Sequence, residues 1–338
     1  MKLLVSGGAG FIGSNFIHHM IKAHPTYTIV NFDLLTYAGN LENLEDIRAH
    51  QNYHFVHGNI CNYELIDYVI DQYAIDTIVN FAAESHVDRS ITQPDVFIKT
   101  NVLGTQTLLD AAKNKHVKKY LQISTDEVYG SLGSNGYFTE KTPLAPNSPY
   151  AASKASADMV VRAYFETYGM NINITRCSNN YGPYHFPEKL IPLIITNALE
   201  DRELPVYGDG KNIRDWLYVE DHCAAIDLVL HQGKPGEVYN VGGHNEKRNI
   251  DLVELILDKL NKPHSLIKHV SDRLGHDRRY AIDASKIKTE LGWQPKYTFE
   301  TGINETIQWY LTHKKWWQKI RSGEYRDYFK KQYGTAID

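Results

Sequence analysis

A chain of 338 residues, 42% of them hydrophobic, is long enough for one large domain or two lobes and can bury a substantial core. With 36 basic and 40 acidic residues its net charge is -4, which argues against a general nucleic-acid binder and makes any functional cation a local matter. Cys61, Cys177 and Cys223 are far apart and odd in number, without a CxxC, so neither a disulfide framework nor a zinc site is expected. Sixteen histidines invite a metal reading, but His18-His19 falls on an expected surface helix and His54 and His57 on an expected strand, and no metal is assigned. No apolar run nears the ~18 residues of a membrane span, and the chain opens on a strand-like segment, so a soluble cytoplasmic protein is expected.

Lys2 to Ser6 reads as a short apolar strand, followed by Gly7-Gly8-Ala9-Gly10-Phe11-Ile12-Gly13 and a helical pattern to about Ala23. The glycines read as GxxGxxG (Gly7, Gly10, Gly13) or GxGxxG (Gly8, Gly10, Gly13). Either way, positions without side chains let a pyrophosphate reach backbone N–H groups at a helix N-terminus. Such a string alone is weak and an ordinary loop stays open. Here it lies between strand and helix, and Thr28 to Asp33 follows as a second strand ending in a carboxylate. Asp33 is placed to take the adenosine ribose hydroxyls and to repel a 2′-phosphate, which favours NAD over NADP.

Strand-like and helix-like segments then alternate: 53–57, 63–73, 77–81, 95–116, 119–124, 150–168 and 171–176. This alternation predicts an α/β fold with a Rossmann-like, doubly wound parallel sheet. Asn59-Ile60 and Ala82-Ala83 follow strands and can border a dinucleotide, although ordinary strand-to-helix turns would look the same. In the helices at 95–116 and 150–168 apolar residues spread beyond one stripe, which predicts burial on two sides. One side would face the sheet; the other would face either a partner's matching helices in a homodimer or the chain's own C-terminal region.

Ser124-Thr125-Asp126-Glu127-Val128-Tyr129-Gly130 emerges at the end of the apolar segment Tyr120 to Ile123. Pro143, Pro146 and Pro149 lead into the helix that carries Tyr150-Ala151-Ala152-Ser153-Lys154. Tyr150 and Lys154, four apart, share a helix face, and a nearby ammonium is expected to lower the phenol's pKa from about 10, making Tyr150 a base. Asp126 and Glu127 offer a separate acid and base, more equipment than simple alcohol oxidation needs.

After Arg176 prolines and glycines multiply and helices shorten, which predicts a smaller mixed C-terminal lobe. The expected division is a dinucleotide-binding domain over 1–177, with returns to its sheet at about 217–241, and a mainly substrate-binding lobe over 178–338. Asn179-Asn180, Lys189, Arg214, Asn249, Arg273 and His276 are expected in or beside turns. Singly each is a solvated surface group; jointly they suit the diphosphate of a nucleotide-linked substrate. Trp316, Trp317, Tyr325, Tyr328 and Phe329 are expected to be packing anchors.

The glycine turn with Tyr150-x-x-x-Lys154 resembles the extended short-chain dehydrogenase/reductase superfamily. Ala82-Ala83-Glu84-Ser85-His86-Val87-Asp88-Arg89-Ser90, the 124–130 run, Asn179-Asn180-Tyr181-Gly182-Pro183-Tyr184, Arg214 to His222 and Gly275 to Tyr280 narrow this to the dTDP-glucose 4,6-dehydratase family, across nearly the whole chain. The resemblance implies bound NAD, a homodimer, and a product that feeds rhamnose and other deoxysugars. It assigns Tyr150 and Lys154 to C4 oxidation with Thr125 on the C4 oxygen, Asp126 as the acid at the C6 hydroxyl and Glu127 as the base at C5. Phe11, Ile12, Asp33, Leu34, Leu35, Thr36, Ala82, Ala83, Thr100 and Asn180 match cofactor contacts, beside Gly7, Gly10, Gly13, Asn59, Ile60, Tyr150 and Lys154. Ser85, Thr125, Asn179, Lys189, Leu190, Pro205, Val206, Tyr207, Arg214, Asn249, Asp272, Arg273 and His276 match contacts to the sugar nucleotide.

Two positions depart from that family: Asn59 stands where it has Asp, and Leu274 where it has Pro. Asn59 still offers an acceptor, so only affinity is expected to change, whereas Leu274 loosens a loop near the diphosphate and leaves the base preference open. A sugar-nucleotide 4-epimerase would also need Tyr150 and Lys154 but has no evident use for Asp126 and Glu127. A non-catalytic NAD-binding sensor would need neither pair.

Overall fold

The computed structural model describes residues 1–323, so Tyr325, Tyr328 and Phe329 lie outside it. Strand β1 (Lys2–Ser6) is buried from Leu3 onward, and helix α1 (Phe11–Ala23) starts directly beyond the glycine turn. Then follow β2 (Thr28–Asp33), β3 (Tyr53–His57), α2 (Tyr63–Tyr73), β4 (Thr77–Asn80) and α3 (Val87–Thr92). A rod of α4 (Pro94–Phe97), a π-helical turn over Ile98–Gly104 and α5 (Thr105–Asn114) leads to β5 (Lys119–Thr125), α6 (Pro149–Tyr168) and β6 (Ile172–Cys177). The remainder comprises β7 (Asn179–Tyr181), α7 (Leu190–Leu199), β8 (Leu204–Tyr207), β9 (Ile213–Tyr218), α8 (Val219–Gln232), β10 (Val238–Val241) and β11 (Glu246–Arg248). It ends with α9 (Asn249–Leu260), β12 (Ile267–Val270), α10 (Ser285–Leu291), α11 (Phe299–Thr312) and α12 (Lys314–Ser322).

Seven strands form one parallel sheet in the order β10-β6-β5-β4-β1-β2-β3. Its faces are covered on both sides, so its strands need no polar alternation: β5 and β6 are buried at every position. One face packs Phe16, Ile17 and Met20 of α1 with Ile226 of α8, Ile287 of α10 and Trp293. The other packs Ile66 and Val69 of α2, Leu108 and Leu109 of α5 and Val161 of α6. A separate core, with Ile194, Trp216, Val253, Ile256, Ile303 and Trp317, belongs to the C-terminal lobe, where β11-β9-β7 and β12-β8 form two small sheets. Of the segment expected to return to the main sheet, α8 and β10 do so, while Leu217 and Tyr218 lie in β9 of the three-stranded sheet.

The helix ends follow from local chemistry. Ser148 caps α6 through the Ala151 N–H at 3.1 Å, with Pro149 in the first turn and Gly169 closing the helix in the left-handed region. The expected single helix over 95–116 contains a π turn instead, whose extra residue turns Asn101 into the core. There its carbonyl accepts from the Glu84 N–H at 2.9 Å and its amide donates to the Glu84 carbonyl and Ser153 Oγ.

One buried ion pair joins α6 to β6: Arg176 Nε lies 2.8 Å from Asp158 Oδ2, and Arg176 also donates to the Tyr129 hydroxyl, which donates to Asn240 on β10. Removing one partner of such a pair strands the other charge without water. Asp158→Ala is therefore expected to lose about 3–5 kcal/mol in urea unfolding. A loss below ~1 kcal/mol, the size of a surface pair, would show that the interaction does not hold α6 in place.

Candidate active site

Parallel strands end together, and the loops after β1, β2, β4, β5 and β6 meet the lobe across a cleft of about 670 Å³. The volume is that of a small-molecule site, and its position at the carboxyl edge of the sheet is where open α/β sheets bind ligands.

On the sheet side the cleft is built for a dinucleotide. Gly7 has φ +73°, and a Cβ there would come within 2.5 Å of the Ala82 nitrogen; at Gly13 it would come within 2.3 Å of the Gly7 carbonyl. Bare backbone is the only surface that fits at this turn, and the Gly10 N-cap of α1 has no side-chain cap to compete with an anion. Asp33 accepts the N–H groups of Ala9 (2.9 Å) and Leu35 (2.8 Å), which aim its carboxyl at the cleft, and burial pushes it above the usual carboxylate range. Phe11, Ile12, Leu34, Thr36, Ile60, Ala82, Ala83, Thr100 and Asn180 also line this side. These residues fit a bound NAD. Asn59 lines it too, but its carbonyl already takes the Cys61 N–H at 2.8 Å. A carbonyl oxygen has a second lone pair, so Asn59 keeps the acceptor expected from the sequence and adds an amide donor.

At the centre stand Thr125, Asp126, Glu127, Tyr150 and Lys154. Thr125 ends β5, and its hydroxyl caps the short turn Asp126–Tyr129 by accepting from the Glu127 N–H at 3.2 Å while donating to Asp126 Oδ1 at 3.3 Å. Asp126 is 1% exposed, and its carboxyl is pushed well above the usual range by burial, with Glu127 and Asp215 adding to the shift. Burial raises Glu127 as well, while Arg214, Lys189 and Arg273 pull it back. The two adjacent carboxyls thus differ in the cations that face them.

The expectation for Tyr150 is corrected. Lys154 Nζ donates to the Ile123 carbonyl at 2.7 Å, and burial lowers its own pKa. Burial, with Glu127 close by, pushes the Tyr150 phenol well up instead of down. Desolvation and the two carboxyls outweigh one ammonium.

On the lobe side lie Ser85, Asn179, Lys189, Leu190, Pro205, Tyr207, Arg214, Asn249, Arg273 and His276. Asn179 Oδ1, Asn249 Oδ1 and Asp126 Oδ2 are buried there without a protein partner, as suits a polar ligand. Asn179, Asn180 and Arg214 sit at the starts of short strands of the three-stranded sheet, beside the turns that lead into them. Three expected contacts do not line the cleft. Val206 is 2% exposed in the lobe core, because alternate residues of β8 face opposite ways. Leu35 packs against Ala9. Asp272 points to His276 Nδ1 at 2.6 Å and acts by holding that ring.

Sequence reasoning missed the wall behind Glu127. The Arg214 guanidinium lies 4.3 Å above the Tyr280 ring, whose hydroxyl donates to Asp277, which also receives the Asn147 amide at 2.6 Å. It also missed His86, 3.6 Å from Glu188, whose pKa burial lowers to about 4. Both lie within or next to the sequence motifs that carry the family resemblance, so adjacency was the available signal.

A dinucleotide cleft facing a Tyr/Lys pair defines a member of the extended short-chain dehydrogenase/reductase class. The family described as GDP-mannose 4,6 dehydratase matches residues 4–306. A dTDP-glucose 4,6-dehydratase from Xanthomonas campestris pv. campestris is 53% identical over 341 residues, covering 96% of this chain and 97% of that one. The Bacillus anthracis dTDP-glucose 4,6-dehydratase, solved in complex with NAD, is 58% identical with a TM-score of 0.90, over 95% of this chain and 99% of that one. The Streptomyces venezuelae enzyme of the same name, with NAD and a second ligand bound, gives 49% and 0.92, over 95% and 100%. The chain belongs to the dTDP-glucose 4,6-dehydratase family.

The raised Asp126 has a signed consequence for stability. An unfolded carboxyl ionises near ~3.9, whereas the folded Asp126 keeps its proton to higher pH. Above about pH 4 the native state therefore binds more protons than the unfolded state, and this group lowers stability as pH rises. Asp126→Asn cannot ionise, so it is expected to melt higher than wild type at pH 7, with the gain shrinking toward pH 4. Parallel melting curves for the two proteins across that range would show that Asp126 is not held protonated.

Proposed function

We propose that the chain converts dTDP-glucose to dTDP-4-keto-6-deoxyglucose, and the observation that carries this reading is the buried Asp126-Glu127 pair in one cleft with Thr125, Tyr150 and Lys154. The C5 hydrogen of an intact hexose is not acidic, and elimination needs a carbonyl at C4 first. NAD, held by the glycine turn and Asp33, would supply a reversible hydride acceptor for C4 oxidation and C6 reduction, and a positive ring charge that Lys154 alone does not.

Tyr150, as the phenolate that a positive cofactor ring would favour over the buried phenol, takes the C4 hydroxyl proton, with Thr125 beside it in the cleft. Glu127, pushed up by burial, is a stronger base than an exposed carboxylate and removes the C5 proton. Asp126, held protonated, donates to the departing C6 hydroxyl, which leaves as water. A proton returned to C5 completes the keto sugar. A 4-epimerase would leave this second pair without work.

The lobe supports the nucleotide assignment. Lys189, Arg214, Arg273 and His276 bring positive or hydrogen-bonding groups to a diphosphate, and Asn179 and Asn249 supply the unpartnered amide oxygens. We assign residues 1–177 with α8 and β10 to the NAD-binding unit and most of the remainder of the chain to sugar-nucleotide binding. Three unpaired cysteines fit a reducing cytoplasm, and among the described residues no helix is long and apolar enough to cross a membrane. Rhamnose formation is one use of such a product.

A homodimer through the 95–116 rod and α6 is supported by Ile98, Leu103 and Met159, which are 51%, 47% and 58% exposed on those helices. Ile98→Glu is expected to shift the protein toward monomer in light scattering; an unchanged mass for a protein that is dimeric before substitution would move the interface elsewhere.

The reaction itself is tested with dTDP-glucose deuterated at C4: the product is expected to have lost water and to carry deuterium at C6. An isotope lost to solvent, or an unchanged mass, refutes the internal hydride transfer. Glu127→Gln is expected to turn over ~10²–10⁴-fold more slowly while reduced nicotinamide still appears by absorbance.

A further inference from the structure

Far along α1 from the glycine turn, its C-terminal end meets the last turns of α8, and three histidines converge there on one carboxylate. Asp227 and His231 are four apart on α8 and share a face. His19 lies on α1, and His24 is its C-terminal cap. His24 Nε2 is 3.0 Å from both Asp227 oxygens, His19 Nε2 is 2.9 Å from Oδ2, and His231 Nδ1 is 2.9 Å from Oδ1. The His24 and His231 rings stack with centroids 4.8 Å apart, and the Tyr27 hydroxyl lies 3.0 Å from His231 Nε2. None of these residues borders the cleft, and the dehydration uses none of them.

We propose that His24, Asp227 and His231 form a binding site for a zinc-class divalent cation, with His19 bracing Asp227. One ligand atom from each of the three lies within 4.8 Å of the others. Imidazole nitrogens with one carboxylate suit zinc; magnesium and calcium ask for oxygen. Zinc–nitrogen bonds of ~2.0–2.1 Å place tetrahedral donors ~3.3 Å apart, so the widest pair of donors, up to 4.8 Å apart, has to close by roughly 1.5 Å. The side chains are free enough to do so, since His24 and His231 are each 26% exposed and Asp227 17%. That exposure also leaves room for water as a further ligand. His231 Nδ1 is 2.8 Å from the Asp227 carbonyl, so the ion replaces a proton shared there, and binding releases protons. His19 acts on the carboxylate as outer hydrogen bonds commonly do around metals, fixing its direction. The bound ion ties α1 to α8 and thereby stabilises the face of the sheet that both helices cover.

The test uses the untagged full chain, stripped with chelator and desalted, titrated with zinc chloride alone by calorimetry and followed by thermal melting. One zinc per chain at micromolar or tighter affinity, with a raised melting temperature, is expected; magnesium chloride should produce neither. His24→Gln and Asp227→Asn should each weaken zinc binding about tenfold or more while dTDP-glucose turnover stays at the wild-type level. Asp227→Asn removes the partner of three imidazoles and is apt to disturb folding, whereas His24→Gln leaves Asp227 its contacts with His19 and His231. The deciding variant is therefore His24→Gln. No saturable zinc uptake by wild type, or wild-type affinity in His24→Gln, overturns the proposal.

Discussion

The desolvation of two adjacent carboxyls at the end of β5 is the constraint around which the site is arranged. In water Asp126 and Glu127 would both be ionised at pH 7 and nearly equivalent. Inside the cleft burial raises both, and their company differs: Asp126 has Glu127 and Asp215 against Arg214 alone, whereas Glu127 has Arg214, Lys189 and Arg273 against Asp277. The lobe that would bind the diphosphate is thus also the lobe whose cations tune the base. On the proposed reading, a proton donor and a proton acceptor come from neighbouring residues.

The parallel sheet makes this arrangement durable. Thr125 is paired with Cys177 across β5 and β6, so the strand end that leads into Asp126 and Glu127 is held on one side by a ladder of backbone bonds. On its other side Asn101, turned inward by the π turn, fastens the Glu84 backbone and Ser153, one residue before Lys154. Tyr150 and Lys154 inherit their positions from α6, itself held by the buried Asp158–Arg176 pair. A rigid frame is what allows a buried acid to stay buried: any loosening that admits water would return Asp126 to ordinary acidity.

The sequence announced much of this. Each of β1, β2, β3 and α2 runs over the residues expected, because apolar runs bounded by Gly, Asn and Pro are local signals. That Thr125, Asp126, Glu127, Tyr150 and Lys154 meet in one cleft was legible because they come in two short runs on known element ends. The rest depended on facing. Val206 and Tyr207 are adjacent, yet one is core and the other lines the cleft, and only the strand's register decides which. The phenol of Tyr150 was misjudged because a four-residue spacing reveals the ammonium but not the burial or the carboxylates brought by β5. The His24–Asp227–His231 cluster joins residues more than two hundred positions apart, and no spacing rule reaches that far.

The cations of the lobe show the same limit from the other direction. Arg273 was expected as a free diphosphate ligand, but its guanidinium is already engaged by Asp88 at 2.5 Å and 2.8 Å, next to the Tyr207 ring. Lys189 donates to the Ser85 carbonyl at 3.0 Å, and Arg214 to the Asp277 carbonyl at 2.9 Å. Partly buried charges do not wait unpaired, since an unsolvated ion is costly. A diphosphate entering this cleft therefore exchanges partners with Asp88 instead of meeting a bare cation, and net attraction is smaller than a count of basic residues implies. On the proposed reading, what distinguishes the right ligand is geometry, the ability to reach Arg273, Arg214 and Lys189 together while its sugar rests on Thr125 and Tyr150. Selectivity in this site follows from simultaneous fit across two lobes more than from charge.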